Sequence, residues 1–227
     1  MDLYGTKNNS ILKKTIIIII ELILITISYI IMFRGNLFNS DRAVFDSSIN
    51  TYKKIIIFTF SIIVFLRTSF MMIFLLKRKL PWEEVISVPM AFALYYIGFP
   101  LLINKTQVNI SLVDYIGIGL FLIGSFLNTF SELQRHFWKA KPENKGKIYS
   151  KGLFSWSMHI NYFGDFLWVI AYAVITWNIF SISIPIFLFC FFVFYNIPKL
   201  DNYLLGKYKD SFTEYSKKTK RFIPFVL

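Results

Sequence analysis

Long apolar runs are the feature that most restricts this chain. Residues Thr15–Phe33, Ile55–Leu76, Val85–Ile103, Leu112–Phe130, Tyr162–Trp177 and Ile179–Ile197 each reach or approach the ~20 apolar residues that carry a helix across a hydrocarbon core. Inside a bilayer every backbone amide must be satisfied within the protein, so runs of this length read as helices. The composition agrees, with 56% of the 227 residues hydrophobic. The expected fold is all-α, a polytopic integral membrane helical bundle of about six transmembrane helices. The turn Trp177–Ser183 between the last two runs is short, which predicts a tight helical hairpin. Pro89, Pro100 and Pro185 fall near span ends or at kinks, where neighbouring helices can satisfy the freed carbonyls. A lone Cys190 excludes an internal disulfide framework, and two histidines, His136 and His159, predict no metal site. Met1–Lys14 is polar and the following run is too long for a leader's apolar core, so no cleaved signal peptide is expected.

Basic residues set the orientation. With the N-terminus inside, the cytoplasmic segments hold Lys7, Lys13 and Lys14, then Lys77, Arg78 and Lys79, then six cations between the fourth and fifth runs, and seven from Lys199 onward. That is nineteen of the 25 Lys and Arg residues, against Arg34, Arg42, Lys53, Lys54 and Lys105 outside and Arg67 within a span. Both termini are therefore expected in the cytoplasm. The expected organisation is one membrane domain over 1–227: a cytoplasmic N-terminus (1–14), four spans within 15–130, a cytoplasmic cofactor-binding segment (131–161), the hairpin (162–197) and a cytoplasmic tail (198–227). The net charge of +12 then reads as a one-sided cytoplasmic field, with the lipid bilayer as partner and no nucleic acid. Its bland alternative is topology and anionic-lipid contact alone. The membrane is the plasma membrane in a bacterium, or the endoplasmic reticulum in a eukaryote.

Two ionisable residues sit at span depth, Glu21 in IIIIIELILI and Arg67 in FLRTSF. Such groups cost about 2.5–3.5 kcal/mol on insertion scales and normally face protein or water. Glu21 lies seven residues from Lys14 and Arg67 ten from Lys77, roughly 10 and 15 Å from the same side. The two are expected to meet in the cytoplasmic half; alternatively, Glu21 snorkels to the interface alone. Asp114 is expected to cap the start of the fourth span. Asn128 and Glu132, one turn apart, share a helix face.

That face opens into the chain's most polar block, residues 132–165. Lys139, Lys141, Lys145, Lys147 and Lys151 are spaced for phosphates, although Lys145 and Lys147 also read as solvated topology charges. Glu132 and Asp165 could grip ribose hydroxyls or an amide, and Trp138, His159, Asn161 and Tyr162 add planar and amide groups. An anionic dinucleotide needs that mixture. No GxGxxG or GxxxxGK[ST] is present, so neither a Rossmann turn nor a P-loop supplies the site.

The motifs Gln134…Phe137-x-Lys139-x-x-Pro142-x-Asn144-Lys145-Gly146-Lys147, Gly152-Leu153-Phe154 and Asn161-Tyr162-Phe163-Gly164-Asp165, with a terminal Tyr215-x-x-x-Thr219-x-x-Phe222-Ile223-Pro224, resemble the steroid 5-alpha-reductase-like superfamily, in its bacterial-type branch. Arg67-Thr68 followed by Arg78 is similar to the steroid reductases' HRT…R spacing. The resemblance covers roughly Arg67 to the C-terminus. It implies a multi-helix membrane fold that binds NADPH on the cytosolic side and reduces a C=C bond conjugated to a carbonyl in a lipophilic, steroid-like or other lipid, substrate. Carried over by position, the cofactor shell would be Arg78, Asn128, Glu132, Lys139, Asn161, Tyr162 and Asp165, with Tyr215 and tail cations closing over it; His159 reads as a further member of the cofactor shell or as an interface histidine. The hydride goes to the β-carbon, and enolate charge on the carbonyl oxygen needs a poised donor or cation.

The chain departs from the pattern at two places. Met158-His159-Ile160-Asn161-Tyr162 stands where the bacterial branch has RHPNY, and Val64 stands where the steroid reductases place a catalytic Tyr. Glu21 corresponds loosely to their catalytic Glu. The catalytic candidates are thus Glu21, Arg67, Tyr95 and Tyr96. The same superfamily includes isoprenylcysteine carboxyl methyltransferase-like proteins, which use S-adenosylmethionine and carry paired glutamates before the tail; here that segment is Pro198-Lys199-Leu200-Asp201. The NYFGD ending favours the reductase. A degenerate lipid-binding member is the third alternative. The aromatic, charged stretch from Asp201 to Lys220 suits a surface helix that folds over the block.

Overall fold

A computed structural model describes residues 10–34, 51–104 and 109–227; Lys7, Arg42 and Lys105, counted above, lie outside the described residues. The bundle is helical: α1 (Ile11–Arg34), α2 (Thr51–Leu75), α3 (Trp82–Leu101), α4 (Leu112–Ala140), α5 (Ile160–Thr176), α6 (Ile179–Tyr208) and a short α7 (Asp210–Lys218). Among the described residues, five helices are long and apolar enough to cross a membrane, and α5 is the shorter one. At ~1.5 Å per residue the 17 residues of α5 reach about 25 Å, less than the ~30 Å core.

Two helices outrun their apolar sequence. α4 continues past Phe130 because Glu132, Leu133, Gln134, Arg135 and Lys139 are strong helix formers, and it stops at Ala140, just ahead of Pro142. The first residues of the polar block are therefore helix, not loop. α6 passes the expected end at Ile197 because a π-helical turn at Phe192–Asn196 precedes Pro198, which sits in the first turn of the α-helix that follows. That helix runs to Tyr208 and ends at Lys209, whose φ of 46° breaks it.

The chain forms two compact units, residues Met1–Ile118 with Ala171–Ile182, and Gly119–Ile170 with Ser183–Leu227. In unit 1, α1 and α3 pack around Ile17, Leu80 and Val85. Lys13 and Lys14 each donate an ammonium hydrogen bond to the α2–α3 connection, at the Leu80 and Leu76 carbonyls, and Leu80 N–H donates to Ser10 Oγ. The Tyr172 ring lies between Phe60 (5.4 Å) and Phe99 (5.1 Å). Asp114 accepts from Ser111 N–H at the start of α4, the backward half of a capping box, and also from Trp177 Nε1 at 2.9 Å. Lys53 is 2% exposed, with its ammonium 4.5 Å from the Trp177 ring centroid. One of the five cations counted outside is thus held within the protein.

In unit 2, α4 and α5 touch backbone to backbone. A Cβ on Gly124 would stand 2.6 Å from Gly164 O, and one on Gly164 would stand 2.5 Å from Asn128 N. Small residues permit such close approach between membrane helices. α5 and α6 form the expected hairpin, joined by Tyr162–Phe192 (4.8 Å) and Phe166–Phe189 (5.5 Å) ring contacts. The loop between α4 and α5 packs Tyr149, Leu153 and Phe154 against Leu127 and Ile160.

Candidate functional site

The glycine crossing in unit 2 places Asn128 directly against the first turn of α5. Asn128 is buried, and its Nδ2 donates to the Asn161 carbonyl oxygen at 3.1 Å. The Asn161 side chain in turn donates from Nδ2 to Glu132 Oε1 at 2.9 Å, and Arg135 donates to Glu132 Oε2. The pair that one turn of α4 aligned on a single face, Asn128 and Glu132, thus converges on Asn161. Gln134, two residues further along α4, accepts from Leu153 N–H at 3.0 Å. Gly152 is required beside it: its φ is 59°, and a Cβ there would come within 2.5 Å of Gln134 Oε1.

His159 anchors the other side of the helix mouth. Its Nε2 lies 2.7 Å from Asp201 Oδ1, while Asp201 Oδ2 accepts from Arg221 Nε at 2.7 Å. The imidazole stacks on Tyr162 at 5.7 Å with an 8° tilt, and Tyr162 stacks on Phe192. Asp165, one turn into α5, accepts from Trp168 Nε1 at 2.8 Å. Lys139, exposed at the end of α4, donates to Tyr208 Oη at 3.0 Å.

The C-terminal segment closes onto the same loop. Met158 N–H donates to Lys220 O at 2.8 Å and His159 N–H to Arg221 O at 3.1 Å. Ser157 Oγ donates to Phe222 O, and Tyr215 Oη donates to Phe154 O. Burial pushes the Tyr215 phenol above the ordinary tyrosine range, with Arg135 pulling it partly back. Burial alone raises Tyr149. The stretch from Asp201 to Lys220 is therefore the end of α6 followed by α7, tied down by its own backbone.

Unit 1 holds the other candidates. Glu21 is fully buried; Thr68 Oγ1 donates to its Oε2 at 3.4 Å, and Oε1 has no hydrogen-bond partner. Thr68 follows Arg67 on α2, so the hydrogen bond from Thr68 ties Glu21 to that helix beside Arg67. Tyr96 is fully buried, with an unpartnered Oη inside the electrostatic reach of Glu21, Arg67, Tyr95 and Tyr172. Tyr95 stacks on Phe99 at 6.3 Å. Tyr172 donates to Ser61 Oγ at 3.2 Å. Arg78, assigned to the cofactor shell by resemblance, makes a two-pronged ion pair with Glu84 at 2.9 and 2.7 Å. Such forks are among the stronger charge pairs, so the Arg78 guanidinium has a carboxylate already.

The sequence did not bring Asp201 and Arg221 to this cluster. Asp201 stood out only as the acid where methyltransferase-like relatives carry paired glutamates; Arg221 carried no signal, because only the folded tail brings it to Asp201.

Helices of spanning length, and a hydrogen-bonded polar cluster at a helix mouth, define a multi-pass helical membrane protein. The family described as "Protein of unknown function (DUF1295)" matches residues 76–219, and the chain belongs to it, within the steroid 5-alpha-reductase-like superfamily. The chain is similar to 3-oxo-5-alpha-steroid 4-dehydrogenase 1 of Homo sapiens, 34% identical over 120 residues, covering 49% of this chain and 41% of the relative. It is similar to 3-oxo-5-alpha-steroid 4-dehydrogenase 2 of Rattus norvegicus, 30% identical over 110 residues, 48% and 41%. It is also similar to the protein-S-isoprenylcysteine O-methyltransferase of Saccharomyces cerevisiae, 28% identical over 122 residues, 51% and 50%. The chain thus spans half or less of the length of these relatives. All three are enzymes, of two chemistries.

Proposed function

We propose that the protein is a membrane-embedded, NAD(P)H-dependent reductase of a C=C bond conjugated to a carbonyl in a lipophilic, steroid-like or other lipid, substrate. The observation that carries this reading is Asn161 fixed between Asn128 and Glu132, with Tyr162 and Asp165 on the same helix turn. Carboxylates and amides that hold one another in place are preorganised acceptors for ribose hydroxyls and a carboxamide. Lys139 supplies a cation for phosphate at the end of α4, and the Tyr162 ring, stacked between His159 and Phe192, fixes that side of the helix mouth. Asn128, Glu132, Lys139, His159, Asn161, Tyr162 and Asp165 would hold the dinucleotide, with Tyr215 securing the tail beside them. Arg78 would join them only by leaving Glu84.

When bound, the reduced nicotinamide supplies a hydride to the substrate's β-carbon. The protein's part is to stabilise charge on the carbonyl oxygen and to return a proton to the α-carbon. Glu21, Arg67, Tyr95 and Tyr96 are the candidate groups for that task. Tyr96, with its unpartnered hydroxyl, takes the donor role left open by Val64. Both termini face the cytoplasm, following the basic-residue bias.

A second reading, methyl transfer from S-adenosylmethionine, is supported by the similarity to the yeast methyltransferase and by His159 bound to Asp201, the acid that falls where such relatives carry paired glutamates. Thermal-shift titration of the purified full chain with NADPH, NADH and S-adenosylmethionine separates the readings. NADPH should stabilise the protein, and Asp165→Ala and Lys139→Ala should each weaken that effect beyond a surface control. Stabilisation by S-adenosylmethionine alone overturns the reductase, and stabilisation by neither points to a lipid-binding member without catalysis.

A further inference from the structure

The C-terminal segment reverses direction after Phe222, and the reversal turns apolar side chains outward. Phe222 itself is 1% exposed, packed among Phe163, Phe166, Phe189 and Phe192. Past it, Val226 and Leu227 N–H groups donate to Ile223 O, and Phe222 N–H donates to Leu227 O. The bend needs Phe225 at φ 64°, a left-handed conformation that bulky side chains rarely adopt. Its result is that Phe225 and Val226 are each 71% exposed. Trp156, 45% exposed, brings its ring 6.1 Å from that of Phe225. A segment with a buried anchor available has instead built a contiguous apolar knob.

We infer that Trp156, Phe225, Val226 and Leu227 form an interfacial anchor that seats the C-terminal segment in the headgroup layer of an anionic bilayer. Position supports this: the Lys220 and Arg221 carbonyls accept from Met158 and His159 N–H, immediately before α5 begins at Ile160. The knob therefore sits at the end of an apolar helix, where aromatic side chains gather at membrane boundaries. Charge supports it too. Lys217, Lys218 and Lys220 are exposed close to the knob in sequence, as is Lys151 ahead of Trp156, and no acid lies between Lys217 and Leu227. Apolar side chains flanked by lysines match an anionic lipid surface, where each nearby cation adds attraction. A second copy would bring like charge against like charge. The inference is independent of the cofactor reading.

The test uses the full chain in nanodiscs, comparing wild type with Trp156→Phe so that the difference in emission isolates Trp156. Lipid brominated high on its acyl chains should quench that difference, and acrylamide from water should not. Quenching should strengthen when phosphatidylglycerol replaces part of the phosphatidylcholine, and a Lys217, Lys218, Lys220→Gln triple variant should lose that dependence. A Phe225→Asp, Val226→Asp variant, which removes no buried contact, should lose the bromine quenching while keeping its helical circular dichroism. Quenching by acrylamide alone would put the knob in water and overturn the anchor. Protection from both quenchers would place a second copy over it and overturn the anchor equally.

Discussion

In unit 1 the Glu21 carboxylate has one long donor, Thr68 Oγ1 at 3.4 Å, and its other oxygen has none. In unit 2 the Asp201 carboxylate is held at 2.7 Å on both oxygens, by His159 and by Arg221. The contrast extends beyond the two acids. Tyr96 Oη, Ser28 Oγ and Ser69 Oγ in unit 1 are buried without hydrogen bonds; in unit 2 Ser125 Oγ is too, but the amides of Asn128 and Asn161, the indole of Trp168 and the phenol of Tyr215 are bonded. A buried polar group without a partner costs about 1–3 kcal/mol; a network with every member bonded is rigid and holds one geometry. Unit 2 thus holds its Asn128–Asn161–Glu132 and His159–Asp201–Arg221 groups in one bonded arrangement. Unit 1 keeps polar groups where packing alone would favour apolar ones, and under the proposed function Glu21 and Tyr96 are the ones among them that would act on substrate.

The harshest way to break unit 2 is to separate its helices. Gly164→Ala would push a Cβ to 2.5 Å from Asn128 N and 2.7 Å from Gly124 O. Backbone atoms cannot swing aside as side chains do, so the cost should reach or pass the ~3 kcal/mol upper end of ordinary overpacking. The expected outcome is loss of monodisperse protein in detergent on size-exclusion chromatography. Gly119→Ala, whose Cβ would meet nothing within 4 Å, should behave as wild type. Recovery of well-folded Gly164→Ala protein would mean that the close crossing is dispensable.

Removing the two carboxylates should give opposite results. Asp201→Ala leaves a buried imidazole and an arginine without their shared acceptor, and losing one side of such a pair costs about 3 kcal/mol. A clear drop in the midpoint of thermal unfolding is expected, along with faster proteolysis of the tail. Glu21→Gln should leave the unfolding midpoint nearly unchanged, because little is bonded to lose. Under the proposed reductase it should nonetheless lower turnover by about 100-fold, the low end of what a positioned acid–base group contributes. Equal losses of stability in the two variants would erase the contrast between the units.

This difference also explains which parts of the protein were legible in its sequence. Hydropathy placed the spans, because a bilayer imposes length directly, and the one-turn spacing of Asn128 and Glu132 placed both on the face that meets Asn161. The ends of α4 and α6 were not legible from hydropathy: helix propensity carries α4 to Ala140, and a π-helical turn lets α6 continue across Pro198. Arg78 was aligned with a cofactor arginine by spacing, and the structure adds what spacing does not show, that its guanidinium is paired with Glu84 six residues on. Asp201 and Arg221 stayed hidden because their pairing is tertiary, set by a tail that hydrogen-bonds the loop before α5.

A milder probe compares the two glycine contacts of α4. At Gly117 the nearest neighbour of an added Cβ is Ile175 Cδ1 at 2.8 Å, the tip of a side chain. A rotamer change can relieve that, so Gly117→Ala should cost no more than about 1 kcal/mol, partly offset by alanine's better helix propensity. The unfolding midpoint should fall by a few degrees at most. A collapse equal to that of Gly164→Ala would show that unit 1 is packed as rigidly as unit 2.

The smallest expected effect lies in the alkaline range. The Tyr215 phenol is held above its ordinary value of 10.0, chiefly by burial, so the folded state binds its proton more tightly than the unfolded state does. Its contribution is complete below the ordinary tyrosine value and is lost as pH rises beyond it. Docking of α7 should therefore weaken as pH climbs above about 10, the ordinary tyrosine value. Lysines deprotonate in the same range, so the comparison is with Tyr215→Phe, which cannot ionise. That variant lacks the hydrogen bond to Phe154 O and should be slightly less stable at pH 8, by about 1 kcal/mol. Its unfolding midpoint should then fall less steeply between pH 9 and 11. Parallel slopes for the two proteins would show that the phenol titrates freely and that the tail is not held over it.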